Sequence, residues 1–214
     1  GAQVNFQRTK ATLGAKQKWS GSVGAAGGTN GWENRMFGSV QYSQKRFAFL
    51  VNGIYRSSEN YTDGNGNEIL YSQYRKWNGG ASLAFAPAKN HEIVLDYLQD
   101  EGYDIGYPAL TMDVSFAKAK IGSVTYSVDR PGQRWRKFSL KLYGNFIDHA
   151  MDDSKRPDSL VPIRMDMPGT SLTFGGFART MYKLATKHLL EVEVAAFQND
   201  LHAEMTMYPD IGSD

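Results

Sequence analysis

Two side chains that bind soft metal ions, those of His149 and Met151, are separated by one residue in this sequence. They continue an alternating stretch that contains Lys141 and Tyr143, and alternate residues of a β-strand share a face. Imidazole and thioether are therefore expected to point to the same side, where both could bind one cation. Because thioethers favour Cu(I), the pair is a candidate site for a soft metal ion such as copper.

Further soft ligands follow in the sequence. Met165 and Met167, on the returning side of the next long loop, are secondary candidates for the same site. Further possible soft ligands are His202, Met205 and Met207. The alternative is structural, since methionine fills irregular gaps in packing and a histidine can be an ordinary hydrogen-bonded polar residue. No cofactor is required by either interpretation.

The elements that would position these residues are regularly spaced β-strands whose connections alternate between short and long. In an up-and-down meander, alternate connections lie at opposite ends of the strands, so the short turns share one end. Short turns at one end and long loops at the other are typical of outer-membrane β-barrels. The short connections are 44–45, 87–90, 128–133 and 183–187, and the long ones are 28–33, 57–74, 101–116 and 152–169.

Nine strands are predicted, roughly at 16–26, 34–43, 46–56, 76–86, 91–100, 117–127, 136–149, 170–182 and 188–199. Single-chain bacterial barrels close with an even number of strands. The predicted fold class is therefore all-β: an antiparallel, up-and-down transmembrane β-barrel, of which this chain is a fragment of about nine strands.

Alternation within the strands predicts which residues face lipid. Leu140 and Leu142 are expected to face lipid, and Ser139 and Lys141 to face the lumen. Aromatic residues flank both ends of the strands, as expected where a barrel crosses two membrane interfaces, although β-propensity enriches aromatics in any strand. Phe47, Phe85, Trp135, Phe138 and Tyr182 flank the short turns, and Tyr55, Trp77, Tyr97 and Phe146 lie near the long loops.

Composition is compatible with a barrel and excludes several function classes. The mean hydropathy of -0.47 suits strands with a polar face, and the apolar run 47–51 is far too short for a membrane-spanning helix. The chain has no cysteine, so disulfides and thiolate metal sites are excluded. A net charge of +2 gives no reason to expect nucleic acid as a partner. No set of nucleophile, base and orienting group is found, so no enzyme is predicted.

One loop imitates a calcium site. Asp63, Asn65 and Asn67 have the spacing of calcium ligands, but Glu68 stands where such a loop needs a glycine. A polar, glycine-rich hairpin tip is the favoured interpretation.

Several segments resemble TonB-dependent outer-membrane receptors. The segments 46–56 and 63–68 look like early strands of their barrel, and the opening segment 1–6 is similar to the end of their plug domain. The segments 106–114 and 149–157 look closest to the copper-uptake subgroup. The resemblance spans nearly the whole chain.

The resemblance implies a barrel of about 22 strands with a plugged lumen. Residues 1–9 would be the end of the plug domain at its junction with the barrel, and residues 10–214 the N-terminal part of the barrel. Copper receptors similarly use a His-x-Met pair, completed by soft ligands from the plug. The implied partners are outer-membrane lipid, the TonB complex through the missing plug, and a metal or metal chelate.

The implied function is uptake of a scarce nutrient across the outer membrane of a Gram-negative bacterium, with copper as the favoured cargo. A ferric siderophore or cobalamin is the alternative cargo, and a siderophore would be gripped by Trp32, Tyr61, Tyr103 and Arg164. A passive porin-like barrel and a soluble β-sandwich adhesin are the other classes left open.

Overall fold

The computed structural model describes residues 9–209, which form one antiparallel sheet. The strands are β1 (Trp19–Gly27), β2 (Asn34–Ser43), β3 (Phe47–Ser58), β4 (Tyr74–Phe85), β5 (His91–Ile105), β6 (Asp113–Asp129), β7 (Trp135–Asp152), β8 (Ile163–Ala185), β9 (His188–Ala203) and β10 (Thr206–Pro209). Two single 3-10 turns, Asn30–Trp32 and Asp158–Leu160, lie in the connections. Within the described part of the chain, no helix is long and apolar enough to cross a membrane.

Each strand from β1 to β8 pairs with the next one along the chain. β9 and β10 lie end to end along the far side of β8, so the sheet is open, with β1 at the opposite edge. The all-β, up-and-down architecture is confirmed, and all nine predicted strands are present. The short strand β10 was not predicted.

The connections alternate as predicted. The short ones, residues 44–46, 86–90, 130–134 and 186–187, define the short-turn end, and the long ones, residues 28–33, 59–73, 106–112 and 153–162, define the long-loop end. The predicted loops 101–116 and 152–169 were too long, because β5 to β8 continue into them. Pairs such as Glu101 with Lys118 and Met151 with Met167 keep the ladder hydrogen-bonded there.

The segment that precedes β1 identifies the inner face of the sheet. Ala11 packs on a buried cluster of Ala48, Leu50, Ala84 and Val94. Its amide donates a hydrogen bond of 3.1 Å to Ser82 Oγ, and Lys10 lies 3.5 Å from Asp96. A strand presents alternate residues to each face, so this contact fixes the inward positions of β3 to β5 and, through the pairing, of the other strands. Of the predicted plug segment 1–9, residues 1–8 lie outside the described residues.

The outer face is largely apolar and carries the aromatic residues predicted to form girdles. All nine predicted girdle residues lie on it, and Leu142 is 53% exposed there, while Ser139 and Lys141 lie on the inner face. The rings near the short turns contact one another, as in Trp135 and Phe138 at 6.4 Å. The stretch from Phe138 to Phe146 contains about nine residues, which is the length that a tilted strand needs to cross a membrane. The predicted alternation of β7 is confirmed.

Candidate metal site

The predicted metal ligands lie on the inner face at the long-loop end. His149 and Met151 follow Phe146 in β7 and so stand beyond the outer aromatic band. The register places His149 opposite Gly169 and Met151 directly opposite Met167 of β8. Met165 is on the same face two residues earlier in β8. The fold thus brings a histidine and three methionines together on two paired strands.

A fourth methionine borders this group. Met207 of β10 is directly opposite Met165, and both lie on the inner face. The short strand β10 therefore extends the row of thioethers to a third strand. We call His149, Met151, Met165, Met167 and Met207 the thioether row.

The imidazole of His149 lies across the backbone of Gly169. A Cβ atom at residue 169 would lie 2.6 Å from Cε1 of the ring and 3.2 Å from Nε2. The glycine therefore leaves the space that the ring occupies. Within residues 9–209, the His149 side chain makes no hydrogen bond or ion pair, so its ring nitrogens are available to a metal ion.

Two of the further soft ligands lie elsewhere. His202 of β9 is opposite Thr170 of β8, and Thr170 is opposite Asp148 of β7. All three residues therefore lie on the outer face. His202 is also paired with Glu204 at 2.9 Å. Met205 is exposed in the connection between β9 and β10. His202 therefore does not face the thioether row.

The start of β8 is held in place by a buried carboxylate. Asp153 accepts a hydrogen bond of 2.8 Å from the Met165 amide, and the Arg164 guanidinium donates to its backbone carbonyl at 2.6 Å. Arg164 also pairs with Asp158 in the same loop. These bonds fix the strand that carries Met165 and Met167. The hydrogen bonds that Arg164 donates to the carboxylates of Asp158 and Asp153, above all the one to Asp158, raise the pKa of Arg164, so it stays charged.

A buried arginine ties three loops together. Arg156 Nη2 donates to Asp113 Oδ1 at 2.6 Å and Nε to Oδ2 at 3.0 Å, with the two side chains only 5% and 7% exposed. The guanidinium also donates to the carbonyls of Tyr107 and Leu110 and lies 4.1 Å from the ring centroid of Tyr71. We call Arg156, Asp113 and Tyr71 the loop clamp. It joins the β3–β4, β5–β6 and β7–β8 loops beside Met151, because Asp113 is opposite Asp152.

The loop clamp was missed by sequence reasoning. A charged pair 43 residues apart has no local pattern, and only the observation that both side chains are buried reveals it. The hydrogen bond to Asp113 raises the pKa of Arg156, which keeps the pair charged.

The residues expected to grip a siderophore do not converge. Tyr103 lies on the outer face and donates a hydrogen bond to Glu101, while Arg164 is already paired with two aspartates. Trp32 and Tyr61 are exposed in different loops. The structure therefore does not bring these four residues together.

The supposed calcium loop is a hairpin tip. Asp63 accepts hydrogen bonds from the side chain and amide of Asn67 and from the amide of Asn65. These hydrogen bonds lower the pKa of Asp63, and the bond from the Asn67 side chain has the largest effect. In the described residues, no three His, Asp or Glu side chains gather as a hard-metal site would need.

Comparisons with known proteins show the fold. No family model matches the chain, and no curated protein matches it. Among solved structures, the chain is similar to the copper transporter OprC, with 23% identity and a TM-score of 0.80 over 94% of this chain and 31% of that one. It is also similar to the FrpB iron transporter of Neisseria meningitidis, in its F5-1 variant apoprotein form, with 16% identity and a TM-score of 0.67 over 89% of this chain and 31% of that one.

The F3-3 variant of the same iron transporter gives a TM-score of 0.65 at 16% identity, over 88% of this chain and 32% of that one. The chain thus spans about a third of the length of the structures that it matches. The predicted fold class, an antiparallel up-and-down sheet that is part of a larger barrel, is confirmed by this likeness.

Proposed function

We propose that this chain is the N-terminal part of the barrel of a TonB-dependent outer-membrane receptor that takes up copper. The observation that carries the proposal is the convergence of His149, Met151 and Met167 on the inner face of two paired strands. The fold shared with a structure described as a copper transporter supports it.

The chemistry of the thioether row suits Cu(I) better than a hard ion. Thioether sulfur is a soft, uncharged ligand that binds Cu(I) and is a poor ligand for ferric iron. Imidazole adds a nitrogen donor that also suits copper. Because the row stands beyond the outer aromatic band, a metal ion would meet it on entering the barrel from the long-loop end.

The proposed surroundings follow from the two faces. The apolar outer face would contact outer-membrane lipid of a Gram-negative bacterium, and the polar inner face would enclose the transport path. Energy would come from the TonB complex through a plug domain that precedes this part of the barrel. We propose transport, and no enzymatic reaction, as the activity of the whole receptor.

Copper binding by the full-length receptor tests the proposal. The double variant His149→Ala/Met151→Ala should lose most of the Cu(I) bound by the wild type, as measured by elemental analysis after dialysis. The matched control is His188→Ala/Met36→Ala, which removes the same two side chains at the short-turn end and on the outer face. Equal copper in the wild type and in the site variant would remove these residues from the site.

A second candidate cargo is an anionic metal chelate such as a ferric siderophore. Arg35, Arg56 and Lys76 stand directly opposite one another on β2, β3 and β4, on the inner face. Like charges in such positions repel each other, and Arg56 Nε is buried without a hydrogen-bond partner in the described structure. Lys76 is partly neutralised by Asp100 at 2.9 Å. An anion bound in the lumen would relieve this repulsion.

Growth assays separate the two cargoes. Under the copper proposal, Arg35→Gln/Arg56→Gln leaves copper uptake unchanged. Under the chelate alternative, the same variant abolishes growth on a ferric chelate, while His149→Ala/Met151→Ala does not affect it.

A further inference from the structure

A cationic cleft of about 380 Å³ opens at the short-turn end, between the β6–β7 and β8–β9 turns. Four basic side chains line it, those of Arg136, Lys137, Lys183 and Lys187. Asp129 is the single acidic residue in its lining. Lys137 and Lys183 lie on the inner face, so the cleft faces the lumen and the solvent beneath it.

None of these four cations has an ionic partner among residues 9–209. Lys137 is opposite Asp129 in the ladder, yet the two side chains form no ion pair. Nε of Arg136 is buried and makes no hydrogen bond in the described structure. A buried, unsatisfied guanidinium nitrogen is costly and calls for an explanation.

An oxyanion bound in the cleft would give these four cations a shared ionic partner. A guanidinium offers a planar fork of donors that matches phosphate oxygens, and ammonium groups add point charges around it. A cleft lined by one sign of charge also concentrates ions of the opposite sign. Three net positive charges remain after Asp129 is counted, which favours a multiply charged anion over chloride.

We propose that this cleft is a binding site for an anion of the phosphate class, with Arg136 as its central ligand. Free phosphate or a soluble phosphate ester can reach the cleft from the inner face. The headgroup of an anionic phospholipid has the same chemistry and would have to reach it around the turns. The site is separate from the thioether row, which lies at the opposite end of the strands, so it does not depend on the cargo.

Calorimetric titration of the full-length receptor in detergent at low ionic strength tests the proposal. One arm uses inorganic phosphate as the probe, and the other uses bicelles with or without phosphatidylglycerol. The site variant is Arg136→Gln/Lys183→Gln. The matched control is Arg134→Gln/Lys16→Gln, which removes the same charges at the same end from residues outside the cleft lining. Heat-modified mobility on gels verifies that each variant is folded.

We expect the wild type and the control to bind phosphate, and the site variant to bind at least about tenfold more weakly, as the loss of two charge-assisted hydrogen bonds implies. A loss confined to the phosphatidylglycerol arm would support the site and identify the lipid headgroup as its source. Equal affinities for site and control variants, or no binding of either probe by the wild type, would overturn the proposal. The latter result would indicate that the longer protein covers the cleft with its own acidic groups.

Discussion

The two ends of the sheet treat their charges in opposite ways. At the long-loop end of β5 to β8, cations are paired with aspartates of the same chain, as in Arg156 with Asp113, Arg164 with Asp153 and Lys155 with Asp104. At the short-turn end, no cation of the four turns and their flanking residues forms an ion pair within the described structure. These cations are Lys45, Arg46, Lys89, Arg130, Arg134, Arg136, Lys137, Lys183 and Lys187.

The difference follows from the length of the connections. A long loop loses much conformational entropy when it is ordered, so internal bonds must hold it in one arrangement beside the site. A tight turn is ordered by its own strands and needs no such bonds. Charges at the short-turn end therefore remain available for a partner, whereas those of the β7–β8 loop are used to build the structure.

Breaking the loop clamp should have the largest effect. Arg156→Met leaves Asp113 buried without its partner, and breaking such a pair costs about 3–5 kcal/mol. We expect the β5–β6 and β7–β8 loops of the full-length receptor to become sensitive to limited proteolysis, and thermal stability to fall. Arg134→Met, at the exposed short-turn end, should change neither.

The double variant Arg156→Met/Asp113→Leu is the control for this loss. Removing both charges abolishes the unpaired buried carboxylate, so most of the stability should return. A double variant as unstable as the single one would mean that the carbonyl bonds and the Tyr71 contact matter more than the ion pair.

The membrane band between the two ends gives the second prediction. Leu142 lies on the outer face, which the proposed barrel presents to lipid, and an arginine at mid-bilayer on such a face costs about 2–4 kcal/mol. Leu142→Arg should therefore lower the unfolding free energy of the full-length barrel in a denaturant titration by this amount. Ser139→Arg, on the inner face of the same strand, should be nearly neutral. Equal losses at both positions would contradict the assigned faces.

The sequence predicted what depends on strand periodicity. The strand count, the sorting of the turns and the face of Leu142 all follow from alternation over neighbouring residues. The same periodicity placed His149 and Met151 on one face. Strand ends were less accurate, since β8 begins at Ile163, well before the predicted residue 170. Its early part contains Asp166 and Pro168, which weaken a strand pattern; Pro168 lies where the partner of β8 changes from β10 to β9.

What depends on register or burial was not predicted. The sequence does not show that Met167 is opposite Met151, because a shift of the strand register by one residue would move Met167 to the other face. The loop clamp and the unsatisfied Arg136 were missed for a similar reason. Arg156 and Arg136 have the same side chain, and only the surrounding structure shows that Arg156 is paired with a carboxylate while Arg136 forms no ion pair in the described residues.

The smallest effect is expected from a single methyl group at the long-loop end. In Gly169→Ala the new Cβ would lie 2.6 Å from Cε1 of His149, so the imidazole must move away from β8. The ring can turn without disturbing the backbone, so the free energy of unfolding should change by less than about 1 kcal/mol, a typical value for a tolerated surface change. The proposed metal site should suffer more, because the displaced imidazole would no longer reach an ion held by Met151 and Met167. We expect Cu(I) affinity to fall about tenfold, or about 1.4 kcal/mol, in a competition titration.

Gly122→Ala provides the matched control, because a Cβ at that strand position meets no atom within 4 Å. It should leave both stability and copper affinity unchanged. Unchanged copper affinity in Gly169→Ala as well would show that the His149 ring does not bind the metal from its position over Gly169. The proposed site would then be reduced to its thioethers, and the long-loop end would differ from the short-turn end in the pairing of its charges alone.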